Sequence, residues 1–162
     1  MSLLEKKMDA MARFCLAETL ADRKAAMDQL RGLMDNPEPE VKADTLTKQI
    51  HKLLMELGVP TGILGHKYLV DAIRLAMENP DSVRHMAKEG GTYVVVAEVN
   101  KTVPSRAERA IRHGIEEGLR RTDYDVVQKY FGGTVHPDKG KPTNREYITA
   151  LAQHLRLQNA EV

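Results

Sequence analysis

An all-α fold is the class this sequence predicts, with an N-terminal helical arm ahead of a larger helical domain. Two observations carry the expectation. Apolar residues recur at helical spacing along most of the chain, and proline and glycine cut that pattern into helix-length segments. A third supports it: one segment reads as a strand, and an isolated strand has no partner for its backbone.

The chain has 162 residues, 42% of them hydrophobic and 29% charged, which is ordinary usage for one globular domain with an arm. There is no apolar run of about 18 residues and no apolar stretch followed by a small-residue cleavage site near the start, so neither a membrane span nor a secretion signal is expected. A cytoplasmic location follows as the expectation. Cys15 is the single cysteine and has no metal-ligand spacing around it; it is expected to be a buried apolar residue.

Charge divides mildly along the chain. Residues 1–44 hold 7 Lys+Arg against 9 Asp+Glu, and residues 45–162 hold 17 against 14. An excess of this size does not announce nucleic acid by itself; local clustering must do so.

The elements follow in order. Leu4, Met8, Met11 and Cys15 are spaced 4-3-4, and Met27, Leu30 and Met34 are spaced similarly, so residues 1–35 are expected to form two amphipathic helices. The stripe of Leu4, Met8, Met11 and Cys15 is expected to be buried against the second arm helix, the domain or another copy of the chain, and self-association into a homodimer through the arm is the favoured expectation. In "MDNPEPEVKADT" Asn36, Pro37 and Pro39 are expected to end the helical region, so residues 36–44 read as a linker and residues 45–162 as the domain. Leu46, Ile50, Leu53, Leu54 and Leu57 form a helical stripe ended by Gly58 and Pro60. Tyr68, Leu69, Ala72, Ile73 and Ala76 form another, ended at Asn79 and Pro80, and a short helix is expected over residues 82–88.

"TYVVVAEVN", residues 92–100, is rich in β-branched side chains and reads as a strand by propensity. No second strand is at hand, and tertiary context overrides propensity, so a short helix is expected instead. Tyr124, Val127, Tyr130 and Phe131 end at Gly132 and Gly133. Thr143 and Glu146 have capping-box spacing and open a last helix carrying Tyr147, Ile148, Leu151 and Leu155.

"NKTVPSRAERAIRHGIEEGLRR" is the most informative stretch. Projected at about 100° per residue, Ala107, Ala110, Ile111, Gly114 and Ile115 fall on one face, and Ser105, Arg106, Arg109, Arg112 and His113 on the other. Thr102 is placed to cap this helix and Pro104 suits its first turn. A basic face is commonly just a solvated surface. Here, however, a short helix, a tight turn over residues 100–102 and a second helix with arginine at its start match a helix-turn-helix, whose second helix meets base edges at that end. The arginine fork fits guanine O6 and N7, Glu108 can accept from a cytosine amino group, and backbone amides at the helix start can hold phosphate.

From about residue 45 to 157 the chain resembles the DNA-binding effector domain of the stage-zero sporulation protein A family. The resemblance is carried by "ELGVP", "GHKYLVDAI", "SRAERAIRHGIE", "KPTN" and "LRL", in that order. It implies an all-helical domain of about six helices that regulates transcription in endospore formers by binding short, often tandem, boxes of double-stranded DNA. RNA polymerase is then a candidate partner. By position it places a recognition helix on residues 105–119, with Arg106, Glu108 and Arg109 reading bases, Arg112 and His113 near the DNA backbone, and Ser105 on a phosphate. Two departures bear on the angle of that helix: "GGTYVVVAEVN" replaces a more polar scaffold helix, and Pro104 stands where small residues are usual.

Full-length members of that family also carry a phosphorylation-receiver domain of a hundred or more residues, whereas 44 residues precede the domain here. Asp9, Asp22, Asp28 and Asp35 lie on helical segments without the strands that build a receiver's acidic pocket, so receiver phosphorylation is not expected to regulate this chain.

"HPDKGKPTN" contains the His-Pro-Asp of a J-domain, His136 to Asp138, but a J-domain places it directly after a long basic helix; here it reads as a turn. In the family this loop leads into "KPTN", so Lys139 and Lys141 are candidate phosphate contacts. Gly140 and Lys141 make no Walker loop, because Pro142 follows and the upstream glycine is missing. His51, His66, His85 and His154 are spaced singly, without metal-site spacing, so no metal is expected. No cofactor and no catalytic constellation are indicated. Two readings remain: a sequence-specific DNA-binding regulator, or a helical protein-interaction adaptor or antagonist of a full-length relative with little DNA binding of its own.

Overall fold

A computed structural model of the chain describes residues 3–16, 19–34, 39–133 and 140–161. Among the described residues there are eight α-helices, one 3-10 turn and no strand. The chain divides into two compact units, Met1–Thr45 and Leu46–Val162.

In the first unit, α1 (Leu3–Leu16) and α2 (Leu20–Met34) pack on each other. Thr19 lies just before α2 and its hydroxyl oxygen accepts the Asp22 amide at 3.1 Å, an N-terminal cap. Ala10 and Ala26 are buried, while Leu4, Met8, Met11 and Cys15 are exposed. The expectation for Cys15 is therefore corrected. The helices meet through small side chains well round from the methionine stripe, because alanine allows close approach; Phe14 and Leu30 are half-buried, and the stripe itself stays exposed.

The linker expected over residues 36–44 is partly helical, since α3 spans Pro39–Glu56. Pro39 starts a helix rather than ending one: at the first helical position its missing N–H has no intrahelical partner to lose. Residues 36–38 lie outside the described residues. Downstream, Ile50, Leu53, Leu54 and Leu57 are buried, and Gly58 turns the chain out of the helix at φ +69°, a left-handed conformation suited to glycine.

The centre of the second unit is α4 (Leu64–Glu78), which buries Leu69, Ala72, Ile73 and Ala76. The Arg156 guanidinium donates to the carbonyl oxygens of Ala76 and Met77, which the helix end leaves without amide partners. A 3-10 turn, Pro80–Val83, follows where a helix over residues 82–88 was expected. The Asn79 side chain accepts the Asp81 amide at 3.2 Å, and Pro80 fixes the entry. Tight turns then bring Ser82, Val83 and Met86 inward.

Residues 92–99 form helix α5 (Thr92–Val99) despite their β-branched composition. Thr92, Tyr93, Val96 and Ala97 are buried, and the Thr92 hydroxyl donates to the Ser82 carbonyl oxygen at 3.0 Å. With no neighbouring strand, the helix is the arrangement that satisfies this backbone internally.

Helix α6 (Pro104–Arg121) packs on both α4 and α5. Two further helices, α7 (Tyr124–Phe131) and α8 (Asn144–Ala160), complete the unit, with Tyr147, Ile148, Leu151 and Leu155 buried. Phe131 of α7 lies 4.9 Å from Tyr147 of α8, ring to ring. Thr143 and Glu146 form the expected capping box.

Candidate nucleic-acid interface

The position of α6 is set from behind by glycines. A Cβ on Gly65 would lie 2.9 Å from the Gly114 Cα, so α4 and α6 cross with their backbones in contact. One turn on, a Cβ on Gly118 would meet the Leu57 carbonyl oxygen at 2.7 Å. Small residues here let the helix sit against the α3–α4 corner, which larger side chains would hold off.

The turn before α6 is fixed independently. The Asn100 amide donates to Asp71 of α4 at 2.7 Å and to the Val96 carbonyl oxygen at 2.9 Å. Lys101 takes a left-handed conformation at φ 52°, and the Thr102 amide reaches back to the Ala97 carbonyl oxygen at 2.9 Å. Thr102 does not cap α6, as its spacing suggested. The N-cap is Val103, which offers no side-chain acceptor, and Pro104 occupies the first turn. The left-handed residue directs Thr102 into closing α5 instead.

A third support comes from α8. The Asn144 amide donates to the Tyr93 hydroxyl at 3.0 Å and lies 3.5 Å from the Glu108 carbonyl oxygen. The last residue of "KPTN" thus joins α8 to α5 and α6. Burial pushes the Tyr93 phenol up, with the Asn144 bond opposing it, so it stays neutral and available as an acceptor.

With its back so held, α6 turns Ser105, Arg106, Arg109, Arg112 and His113 to solvent, opposite the buried Ala107, Ile111, Gly114 and Ile115. Among the described residues Arg106 and Arg109 enter no ion pair. Glu108 is half-buried and accepts from Arg112 at 2.8 Å. Lys141 pairs with Glu116 at 2.8 Å. Lys139, with His136 and Asp138 of the His-Pro-Asp tripeptide, lies outside the described residues.

Glu116 was not among the expected residues. Its carboxyl is held below the usual carboxylate range first by the Lys141 hydrogen bond and charge, with smaller help from Arg112 and His113 against a small effect of burial. It is an anion set among the cations of the face. Sequence reasoning also missed Arg84, Lys88 and Arg145, exposed residues that line one hollow with Glu108, Arg112, Glu116 and Lys141. Arg145 donates to the Arg84 carbonyl oxygen at 3.0 Å, tying the start of α8 to the turns after α4. About sixty positions separate Arg145 from Arg84 and Lys88, and no periodicity connects them.

The sequence profile described as sporulation initiation factor Spo0A C terminal matches residues 50–155, from within α3 to within α8. The chain belongs to that family. The Spo0A C-terminal family comprises DNA-binding effector domains of a sporulation regulator, a transcription-factor family and not an enzymatic one. Double-stranded DNA is the family's partner. The matched residues include α4, α5 and α6 with the Gly65 and Gly114 crossing, and the Asn144 junction; α1 and α2 lie outside them. No helix among the described residues is long and apolar enough to cross a membrane.

Proposed function

We propose that this chain is a sequence-specific DNA-binding transcriptional regulator in which α5, the turn over residues 100–103 and α6 act as a helix-turn-helix. The observation that carries the reading is the exposure of Arg106 and Arg109, without ion pairs among the described residues, in the first turns of a helix braced on three sides. In the major groove Arg106 and Arg109 read guanine edges and Glu108 accepts from a cytosine amino group. Ser105, Arg112, His113 and Lys141 hold the DNA backbone, joined by Arg84, Lys88 and Arg145. Arg112 and Lys141 must exchange their carboxylate partners for phosphate when DNA binds. Lys139 is assigned to the same phosphate-contacting group on the strength of the family resemblance.

Selection of bound duplexes from a random pool, followed by titration of the winner at several salt concentrations, tests this. A recovered consensus, with affinity falling steeply as salt rises, is expected. Failure to enrich any sequence would leave the adaptor reading, which the exposed Leu4, Met8 and Met11 stripe favours.

That stripe also supports pairing of two chains through α1, with each DNA-binding unit raising the local concentration of the other at a neighbouring box. Such linkage increases apparent affinity by about 10²–10⁴ without new DNA contacts. Regulation by receiver phosphorylation forms no part of the proposal, and contact with RNA polymerase would follow from DNA binding at a promoter.

A further inference from the structure

His51 and His66 are fifteen residues apart and carry no metal-site spacing, yet the fold brings His51 Nδ1 to 2.7 Å from His66 Nε2. This corrects the expectation that these histidines stand singly. The ring centroids are 4.9 Å apart and the planes differ by 17°. With the nitrogens so much closer than the centroids, the rings lie end to end and nearly coplanar, so the N–H points along the line between them. His66 is 2% exposed, in the first turn of α4. Its other nitrogen, Nδ1, lies 3.3 Å from the Val59 carbonyl oxygen, which can only accept.

These contacts fix the protons. Nδ1 of His66 donates to Val59, leaving Nε2 as an acceptor, and His51 Nδ1 donates to it. His51 can hold a second proton on Nε2 and still donate. His66 can take a proton on Nε2 only if His51 gives up its Nδ1 proton and becomes the acceptor; once both rings are doubly protonated, two N–H groups are set against each other. The residue before it, Gly65, is the one whose backbone touches Gly114 of α6. Displacing the His66 ring therefore strains the crossing that seats α6.

We propose that the His51–His66 pair is a proton-sensitive latch that closes the α3–α4 corner and holds α4 against α6, making His66 a positioning residue for the DNA-binding helix. The role in DNA binding rests on the function proposed above; the latch itself does not.

The electrostatics agree with the geometry. Burial pushes the His66 imidazole below its ordinary value of 6.5; the Val59 carbonyl opposes this and the charge on His51 reinforces it. Among the described charged groups of α3, α4 and α6, His51 is the one whose charge bears on the ring. The amino-terminal end of α4 adds a positive pole that also disfavours an imidazolium. The unfolded chain thus binds a proton at His66 that the folded chain refuses. The latch's stability is complete above about pH 6.5 and is lost as the pH falls below it.

The test is a pH titration of the intact chain by nitrogen-15 NMR, reading the imidazole nitrogens and the backbone amides together. Protonation of His66 below the unfolded-chain value, with the Gly65 and Gly114 amide signals moving in step, is the expected result. At pH 7.5, His51→Ala should displace the same two signals and cause a severalfold loss of duplex affinity, and His51→Asn, whose amide can donate from the same place, should restore both. If His66 titrates while Gly65 and Gly114 stay still, the latch is wrong. If those signals move but no duplex is bound by any form, the latch stands and the DNA-binding reading falls. A His51→Ala chain that does not fold leaves the wild-type titration to decide alone.

Discussion

Gly65 of α4 and Gly114 of α6 are in backbone contact: a Cβ on Gly65 would lie 2.9 Å from the Gly114 Cα, and it would also collide with the Ala110 carbonyl oxygen. The basic face of α6 is held where it is because neither residue has a side chain. Gly65→Ala should therefore push the helices apart and destabilise the domain by about 1–3 kcal/mol. Gly62→Ala, where a Cβ meets nothing within 4 Å, should change stability by less than about 0.5 kcal/mol. Urea denaturation of both variants checks the contrast, and equal effects would show that the crossing has room to spare.

Arg109→Ala should cost about 1–3 kcal/mol of binding on the preferred duplex and relax the preference at one base pair. Arg112→Ala should weaken preferred and random duplexes alike and reduce the salt slope by about 0.9. Competition titrations at several salt concentrations separate the two roles; equal losses on both duplexes for Arg109→Ala would remove it from base reading.

Glu116→Gln should raise duplex affinity. The carboxylate now bonded to Lys141, and favoured by Arg112 and His113, would no longer compete with phosphate. One more cation engaged on the DNA steepens the salt slope by about 0.9. A weaker or unchanged affinity would mean that Glu116 orients Lys141 for binding rather than restraining it.

Lys101→Gly should stabilise the fold by about 0.5–1 kcal/mol. A left-handed residue with a side chain is strained by about 1–2 kcal/mol, and glycine gives back part of that gain as chain entropy. Thermal unfolding followed by circular dichroism reads the difference, and a lower Tm would show that the lysine side chain makes a compensating contact.

Removing residues 1–38, which leaves α3 complete from Pro39, should keep the second unit folded and single-box binding unchanged while lowering affinity and cooperativity on tandem boxes. Sedimentation of the intact chain at micromolar concentration provides the companion measurement. A monomer there, with tandem boxes bound equally well after truncation, would exclude α1 as the pairing element.

The helices of the second unit were legible in the sequence because their information is local. Leu69, Ala72, Ile73 and Ala76 repeat at the helical period, and the Thr143 and Glu146 cap acts over three residues. The division of α6 into an apolar back and a basic front was equally plain, since both faces follow from one stretch of chain. Local information also misled: Pro39 read as a terminus although it opens a helix, and Thr102 read as a cap although the left-handed Lys101 turns it to α5.

The sequence by itself therefore determined the all-helical class, the helix stripes and the chemical types on the exposed side of α6. Only the tertiary structure decided how that side is seated and what shares it. Gly65 meets Gly114, Asn144 reaches Tyr93, Glu116 holds Lys141, and His51 meets His66 through contacts between distant parts of the chain. No period or cap encodes such contacts; they arise when close packing brings particular backbones and polar groups together and each buried donor must find an acceptor.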